Sequence, residues 1–159
     1  ADAVLVPADG GTRIDLGDRE VVLEPTRGHT ASDLIVREEA AGVTFAGDLV
    51  WNGMFPNFVD ALPSAWASNA ARLAAPLRAR PSSVLVPGHG GVADAAAMAR
   101  YRGLLEHIEQ VARRGHADGR TAADTAAAFS VPPSLGEWMA SRPSVERAMT
   151  AWWRELATR

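Results

Sequence analysis

Short apolar runs separated by turn residues occupy the first third of the chain, a pattern typical of β-strands. Four of these runs are expected to pair as two hairpins, with the ranges 12–16 and 20–23 in the first and 34–37 and 43–46 in the second. Gly17-Asp18 lies between the first two runs and predicts a tight turn at the hairpin tip. A further strand is expected at 4–6. The chain up to residue 46 is therefore predicted to consist of strands.

The spacing of apolar residues changes at Ser64, after which they recur every three or four positions, as on one face of a helix. Helices are predicted over 64–80, 93–114, 122–129 and 144–158, with a short buried strand at 84–86. Pro81 is expected to stop the first helix, and Gly115 is expected to cap the longest one. The second half of the chain is therefore predicted to be largely helical.

Composition narrows the choice of partners. The 16 basic residues are all arginine, and with 19 acidic residues they give a net charge of −3. Nucleic acid is not expected as a partner because phosphate binding needs a clustered positive surface. No membrane partner is expected either, because no apolar run is long enough to span a bilayer. Since the chain has no cysteine, any metal must be held by His, Asp or Glu.

Three polar residues next to glycine stand at the ends of predicted strands: His29, Asp48 and His89. Because loops at strand ends converge at one edge of a sheet, we expect these side chains to lie close together. Two imidazoles and a carboxylate form a ligand set suited to zinc or iron. Each motif alone is more typical of an ordinary turn. Their combination, in this order along the chain, favours a metal site over three unrelated turns.

At these residues the chain resembles the metallo-β-lactamase-fold superfamily. The similarity covers residues 20 to 107, and it is carried by the motifs Thr26-Arg27-Gly28-His29-Thr30, Thr44-Phe45-Ala46-Gly47-Asp48 and Val86-Pro87-Gly88-His89-Gly90. It implies an α/β (α+β) fold that is half of an αββα sandwich, with a mixed sheet covered by helices. Residues 1–115 would be the C-terminal half of the family's domain, and residues 116–159 would be a helical tail packed on it.

The resemblance also implies a role for each of the three polar residues. His29 would bind the first metal, Asp48 would bridge both metals and act as the catalytic carboxylate, and His89 would bind the second metal. The expected ions are two zincs, with iron or manganese as alternatives. A hydroxide shared by the two ions would then attack the carbonyl of a small-molecule ester, thioester or related substrate. An aspartate at position 48 is similar to the general hydrolases of the family, including glyoxalase II and the quinoprotein-associated metallohydrolases. The antibiotic-degrading members commonly have Cys or Ser at this position.

One family motif is absent from this chain. The His-x-His-x-Asp-His cluster belongs to the N-terminal half of the family fold, and none of the four histidines here forms such a cluster. His107 and His116 are expected to be a solvated or salt-bridged surface residue and a loop residue, respectively. The chain, which does not begin with Met, is therefore expected to be half of an enzyme, with weak zinc binding and negligible esterase activity in isolation.

The missing half also implies a partner. The sheet would lack its second layer, so we expect either the missing N-terminal half or a second copy of this chain, as a homodimer, to cover it. The apolar strand residues that are expected to include both faces of the sheet are Val21, Leu23, Leu34, Val36, Val43 and Phe45.

Other interpretations stay open at this point. The chain could be a non-catalytic half-domain that acts as an interaction module, or part of an iron-dependent oxidoreductase of the same fold. The aromatic loop 51–63 could form a substrate-pocket wall or a hydrophobic plug beneath the Trp66 helix. Asp33 could accept a hydrogen bond from an imidazole or bind loop amides instead.

Overall fold

In the computed structural model, which describes residues 6–7 and 10–158, five strands form one sheet whose spatial order follows the chain order. The strands are β1 (Thr12–Asp15), β2 (Glu20–Thr26), β3 (Asp33–Glu38), β4 (Val43–Trp51) and β5 (Val84–His89). β1 to β4 pair antiparallel as consecutive strands, and β5 pairs parallel to β4. Both predicted hairpins and the mixed sheet are therefore confirmed. Residues 4 and 5 of the strand expected at 4–6 lie outside the described residues.

Four helices follow the predicted pattern: α1 (Pro63–Ala79), α2 (Ala95–Ala117), α3 (Ala122–Ala127) and α4 (Arg142–Leu156). α1 connects β4 to β5, which is the helical crossover that a parallel pair requires. The side chain of Asp94 accepts a hydrogen bond from the amide of Ala97 at 2.7 Å and so caps the start of α2. No helix among the described residues combines the length and the apolar character needed to cross a bilayer.

The expected C-cap at Gly115 is wrong. Gly115 is buried inside α2, and the helix continues to Ala117. A β-carbon at Gly115 would collide with the side chain of Thr125 on α3. Glycine is therefore needed here for close packing of two helices, and the left-handed backbone that often ends a helix occurs four residues later, at Gly119 (φ +69°).

The helical tail is joined to the rest of the structure by packing and by polar contacts. Trp152 on α4 is buried, and the guanidinium of Arg113 lies 5.1 Å from the centre of its ring. Its neighbour Trp153 is only half-buried. Glu155 binds the amide and the hydroxyl of Ser64 at the start of α1. The division into two domains at residue 115 stays a prediction.

One face of the sheet packs against the helices and the other carries an apolar surface. The register pairs Leu23 with Val36 and Val36 with Phe45, so these side chains project from the same face. Alternation along the strands adds further residues to that surface, which we call the open face: Ile14, Val21, Leu23, Leu34, Val36, Val43, Phe45, Val84 and Val86. The expectation that the strand residues include both faces is therefore wrong. The opposite face instead presents Ile35, Ala46 and Leu85 to the helices.

The open face predicts self-association of the isolated chain. Phe45 is 46% exposed there, although soluble monomers rarely leave a contiguous apolar patch of this kind uncovered. We expect light scattering at micromolar concentration to give a dimer mass, or a complex with a co-purifying N-terminal fragment. Phe45→Glu should give a monomer. Val92→Glu, at a 61% exposed residue of the β5–α2 loop, should leave the mass unchanged. A soluble wild-type monomer with no bound peptide would contradict the prediction.

Candidate metal centre

Asp48 lies within a strand, although the sequence placed it just after one. β4 continues beyond the predicted end at Ala46 as far as Trp51, and its pairing with β5 shifts register near Gly47. Gly47 has φ +52°, a left-handed conformation that L side chains rarely adopt. This irregularity interrupts the strict alternation of the strand and places the Asp48 side chain at the edge where β5 ends.

The two strands come unusually close together beside Asp48. A β-carbon on Gly88 would lie 2.8 Å from the carbonyl carbon of Gly47 and 2.9 Å from the amide nitrogen of Asp48, and it would overlap the Asp48 carboxylate. Contacts with backbone atoms cannot be relieved by a change of rotamer. Only glycine fits at position 88, and its small size lets the next residue, His89, end β5 beside the carboxylate.

His29 lies in the short loop between β2 and β3. The carbonyl of Gly28 accepts the amide of Leu62 at 2.8 Å, which ties this loop to the start of α1. Asp33 accepts the amide of Thr30 at 3.1 Å and its hydroxyl at 2.7 Å. Of the two roles weighed for Asp33, the structure shows the binding of a loop amide. The His29 ring then meets the indole of Trp66 edge-on, with centroids 5.3 Å apart.

The structure brings His29, Asp48 and His89 together. The Nε2 atom of His29 lies 3.9 Å from Oδ2 of Asp48, and the Nε2 atom of His89 lies 3.5 Å from Oδ1. The two imidazoles therefore face different oxygens of one carboxylate. Their side chains are 19% and 39% exposed and that of Asp48 is 40% exposed, so the centre opens to solvent on the His89 side.

These distances suit two pairs of ligands. Two ligands of a tetrahedral zinc, each about 2.0–2.2 Å from the ion, lie about 3.4 Å apart. The distance from His89 to Asp48, 3.5 Å, matches this value, and the 3.9 Å from His29 to Asp48 is longer by about half an ångström. Among the described residues, no group of three or more His, Cys, Asp or Glu side chains is already arranged to hold one ion. The donor set thus fits a site in which each imidazole shares an ion with one oxygen of Asp48. The role of the three residues as ligands stays a prediction.

Trp51, which the sequence placed only in a loop that could form a substrate-pocket wall, is part of this centre. Its indole stacks on the His89 ring with centroids 3.7 Å apart and an angle of 21° between the planes. Its Nε1 donates to the backbone carbonyl of Asp48 at 2.9 Å. The signal available in the sequence was only its position three residues after Asp48. The contact with His89 follows from the strand register, since Trp51 is opposite His89 in the parallel pair of β4 and β5.

The buried part of the aromatic loop 51–63 has the structural role considered for it, and the role of the loop as a substrate-pocket wall stays a prediction. Phe55 and Phe58 are buried, and Phe58 packs against Trp66 with centroids 4.8 Å apart. This part of the loop is a hydrophobic plug beneath α1. Trp51, at the start of the loop, instead lines the centre.

The other two histidines lie on α2 and contact the helical tail. The Nε2 atom of His107 is 2.9 Å from the carbonyl oxygen of Ser130, and its ring packs near Phe129. The expectation of a solvated or salt-bridged His107 is wrong, because the residue binds a backbone carbonyl. The expectation that His116 is a loop residue is also wrong, because it lies exposed in the last turn of the helix and meets Trp153 edge-on.

Comparisons with known proteins agree on the metallo-beta-lactamase fold. The model of the metallo-beta-lactamase superfamily matches residues 1–89. A metallo-beta-lactamase from Pontibacter korlensis superposes with a TM-score of 0.53 and 25% identity, covering 62% of this chain and 46% of the other. The metallo-beta-lactamase FIM-1 from Pseudomonas aeruginosa, in its mono-zinc form, superposes with a TM-score of 0.50 and 21% identity. This match covers 65% of this chain and 45% of FIM-1. No curated protein matches the chain significantly.

The similarity to one further structure extends through the helical tail. The stereoselective inverting sec-alkylsulfatase Pisa1 from Pseudomonas sp. gives a TM-score of 0.77 at 18% identity, covering 98% of this chain and 27% of that protein. The predicted half-sandwich with a helical tail is therefore confirmed as a fold. The chain spans less than half the length of each of these three structures.

The close approach at Gly88 predicts a specific sensitivity. Gly88→Ala should lower the free energy of unfolding by about 1–3 kcal/mol, because the added methyl group must displace backbone of β4. Gly91→Ala is the matched control, since a β-carbon there meets nothing within 4 Å. Its effect should stay within about 0.5 kcal/mol. Urea denaturation measures both, and equal stability of the two variants would contradict the assigned packing.

Proposed function

The chain belongs to the metallo-β-lactamase superfamily, and we propose that it supplies His29, Asp48 and His89 to a two-metal site that hydrolyses an ester, a thioester or a related small molecule. The observation that carries this proposal is that the two imidazoles face different oxygens of Asp48, at 3.9 and 3.5 Å. A carboxylate placed in this way can bridge two ions, one beside each imidazole. Zinc is the proposed metal, and iron or manganese would use the same donors.

The chain's own residues would hold and orient the reacting groups. Asp48 would be the ligand shared by the two ions, and its backbone is held by the pairing with β5 and by the Trp51 indole. His29, packed against Trp66, would hold one ion on the more buried side. Bound zinc would lower the pKa of water and polarise the substrate's carbonyl group. The side around His89, which is more exposed, is where the substrate would enter.

The site proposed here is partial, and the open face is where its remainder would be added. Two ions need more protein ligands than these three residues supply, since structural and catalytic zinc sites use three or four each. The apolar surface of Leu23, Val36 and Phe45 suits a second β-sheet as its partner. We propose that this second layer is an N-terminal half-domain that carries the other ligands. A second copy of this chain is the alternative occupant.

Sulfate-ester hydrolysis is a second candidate function. It is favoured by the extent of the fold likeness to the sec-alkylsulfatase, which covers 98% of this chain, whereas the likeness to the Pontibacter metallo-beta-lactamase covers 62%. Assays with a carboxylic ester, a thioester and a sec-alkyl sulfate would separate the two candidates. They need protein that includes the second layer, because we expect the chain alone to have negligible activity.

Zinc titration followed by NMR of the imidazole ring protons tests the metal ligands even where binding is weak. We expect zinc to shift the signals of His29 and His89 and to leave those of His107 and His116 unchanged. Asp48→Ala should abolish both shifts, because it removes the donor that the two imidazoles share. Asp60→Ala, at an exposed carboxylate of the aromatic loop, is the control and should change neither.

Two results would contradict the proposal. Zinc shifts that persist in Asp48→Ala, or that appear at His107 and His116 instead, would overturn the assignment of the ligands. Tight stoichiometric binding by the isolated chain would overturn the partial site, because it would mean that the three residues and water suffice.

A further inference from the structure

The two imidazoles of the centre are held in different ways. His29 is the more buried, at 19% exposed, and the indole of Trp66 meets it edge-on from within the core. His89 is the last residue of β5 and is 39% exposed. Among the described residues, Trp51 is the only aromatic ring that stacks on it. The orientation of His89 therefore depends on a contact made at the edge of the sheet.

Trp51 lies next to all three residues of the centre. It stacks on His89 at 3.7 Å, donates to the backbone carbonyl of Asp48 at 2.9 Å, and its ring centre lies 6.3 Å from that of His29. The hydrogen bond fixes the indole relative to Asp48, and the stack fixes the imidazole relative to the indole. The Trp51 indole thus connects the Asp48 backbone, through a hydrogen bond, to the His89 ring, through the stack.

We propose that Trp51 is a positioning residue, which holds the His89 imidazole in the orientation that directs its Nε2 at Oδ1 of Asp48. This inference rests on the proposed function and adds to it the residue that prepares the exposed ligand for metal. A nearly parallel indole blocks rotation of the imidazole about its bond to the β-carbon. The His89 side chain then loses less conformational entropy when an ion binds, so the affinity for the metal rises.

A role in core packing alone explains less of the geometry. Trp51 is half-buried, and the space between β4 and α1 is already filled by the fully buried Trp66. The small angle between the Trp51 and His89 planes and the hydrogen bond three residues back along the chain are both specific features. Substitutions that separate the stack from the hydrogen bond can therefore test the role.

The experiment compares Trp51→Leu, which removes the stack and the N–H, with Trp51→Phe, which keeps a smaller aromatic face and loses the N–H. The matched control is Trp138→Leu, because Trp138 is also half-buried and also donates to a carbonyl three residues earlier, that of Leu135. In zinc-free protein, the ring protons of His89 should lose their upfield ring-current shift in Trp51→Leu. They should keep most of it in Trp51→Phe and all of it in Trp138→Leu.

The second readout is the zinc affinity, taken from the NMR titration of His89. Trp51→Leu should weaken it about 10-fold, the lower end of the loss seen when groups that orient a metal ligand are removed. Trp51→Phe should recover most of the affinity, and Trp138→Leu should match the wild type. Unchanged His89 shifts or unchanged affinity in Trp51→Leu would overturn the positioning role. Equal losses in Trp51→Leu and Trp51→Phe would also overturn it, since an aromatic face at position 51 would then not be what orients His89.

Failure of the proposed function would look different. In that case zinc would shift neither histidine signal in the wild-type chain. A wild-type response that Trp51→Leu retains in full would overturn only the role of Trp51.

Discussion

The carbonyl oxygen of Leu49 is the point on which the geometry of this protein depends. It accepts the indole N–H of Trp66 at 2.8 Å and the hydroxyl of Tyr101 at 3.1 Å, and all three residues are buried. A buried carbonyl has two lone pairs to satisfy, and here one is used by α1 and the other by α2. Burial raises the pKa of the Tyr101 hydroxyl well above its usual value, so this group stays protonated and remains a donor. The residue before Leu49 is Asp48, and the carboxylate therefore extends from backbone that is hydrogen-bonded to both helices through its neighbour.

A second constraint is the division of the sheet into two different faces. The helix-covered face is closed by buried residues such as Ile35 and Leu85, and its margin carries Glu24 paired with Arg37 and Arg72. The open face is apolar on all five strands, and no helix within residues 6–7 and 10–158 covers it. Exposed apolar area costs free energy in proportion to its extent, so such a surface favours a covering layer. The sheet that positions the centre thus also carries the surface suited to the second layer that we propose.

The sequence predicts the elements well and the contacts between them less well. Alternation and helical spacing give the strands and helices to within a few residues, because burial on one face imposes those periods. Three features needed the structure. Gly47 breaks the alternation inside β4, so the strand seemed to end at Ala46. Gly115 looked like a helix cap, since a glycine required for helix packing has no distinct local signal. The stack of Trp51 on His89 depends on the register of two strands that are far apart in the chain.

Charge links the two halves of the proposed site. His29 and His89 are neutral donors when they bind a metal, and Asp48 contributes a single negative charge, whereas two divalent ions bring four positive charges. The ligands of the second layer must offset much of the difference, so metal affinity and docking on the open face would be coupled. By linkage, whatever strengthens one of these equilibria strengthens the other by the same factor. On the proposed function, one partner meets both needs. It would cover the apolar strands of the open face, and its ligands would complete the charge balance beside Asp48.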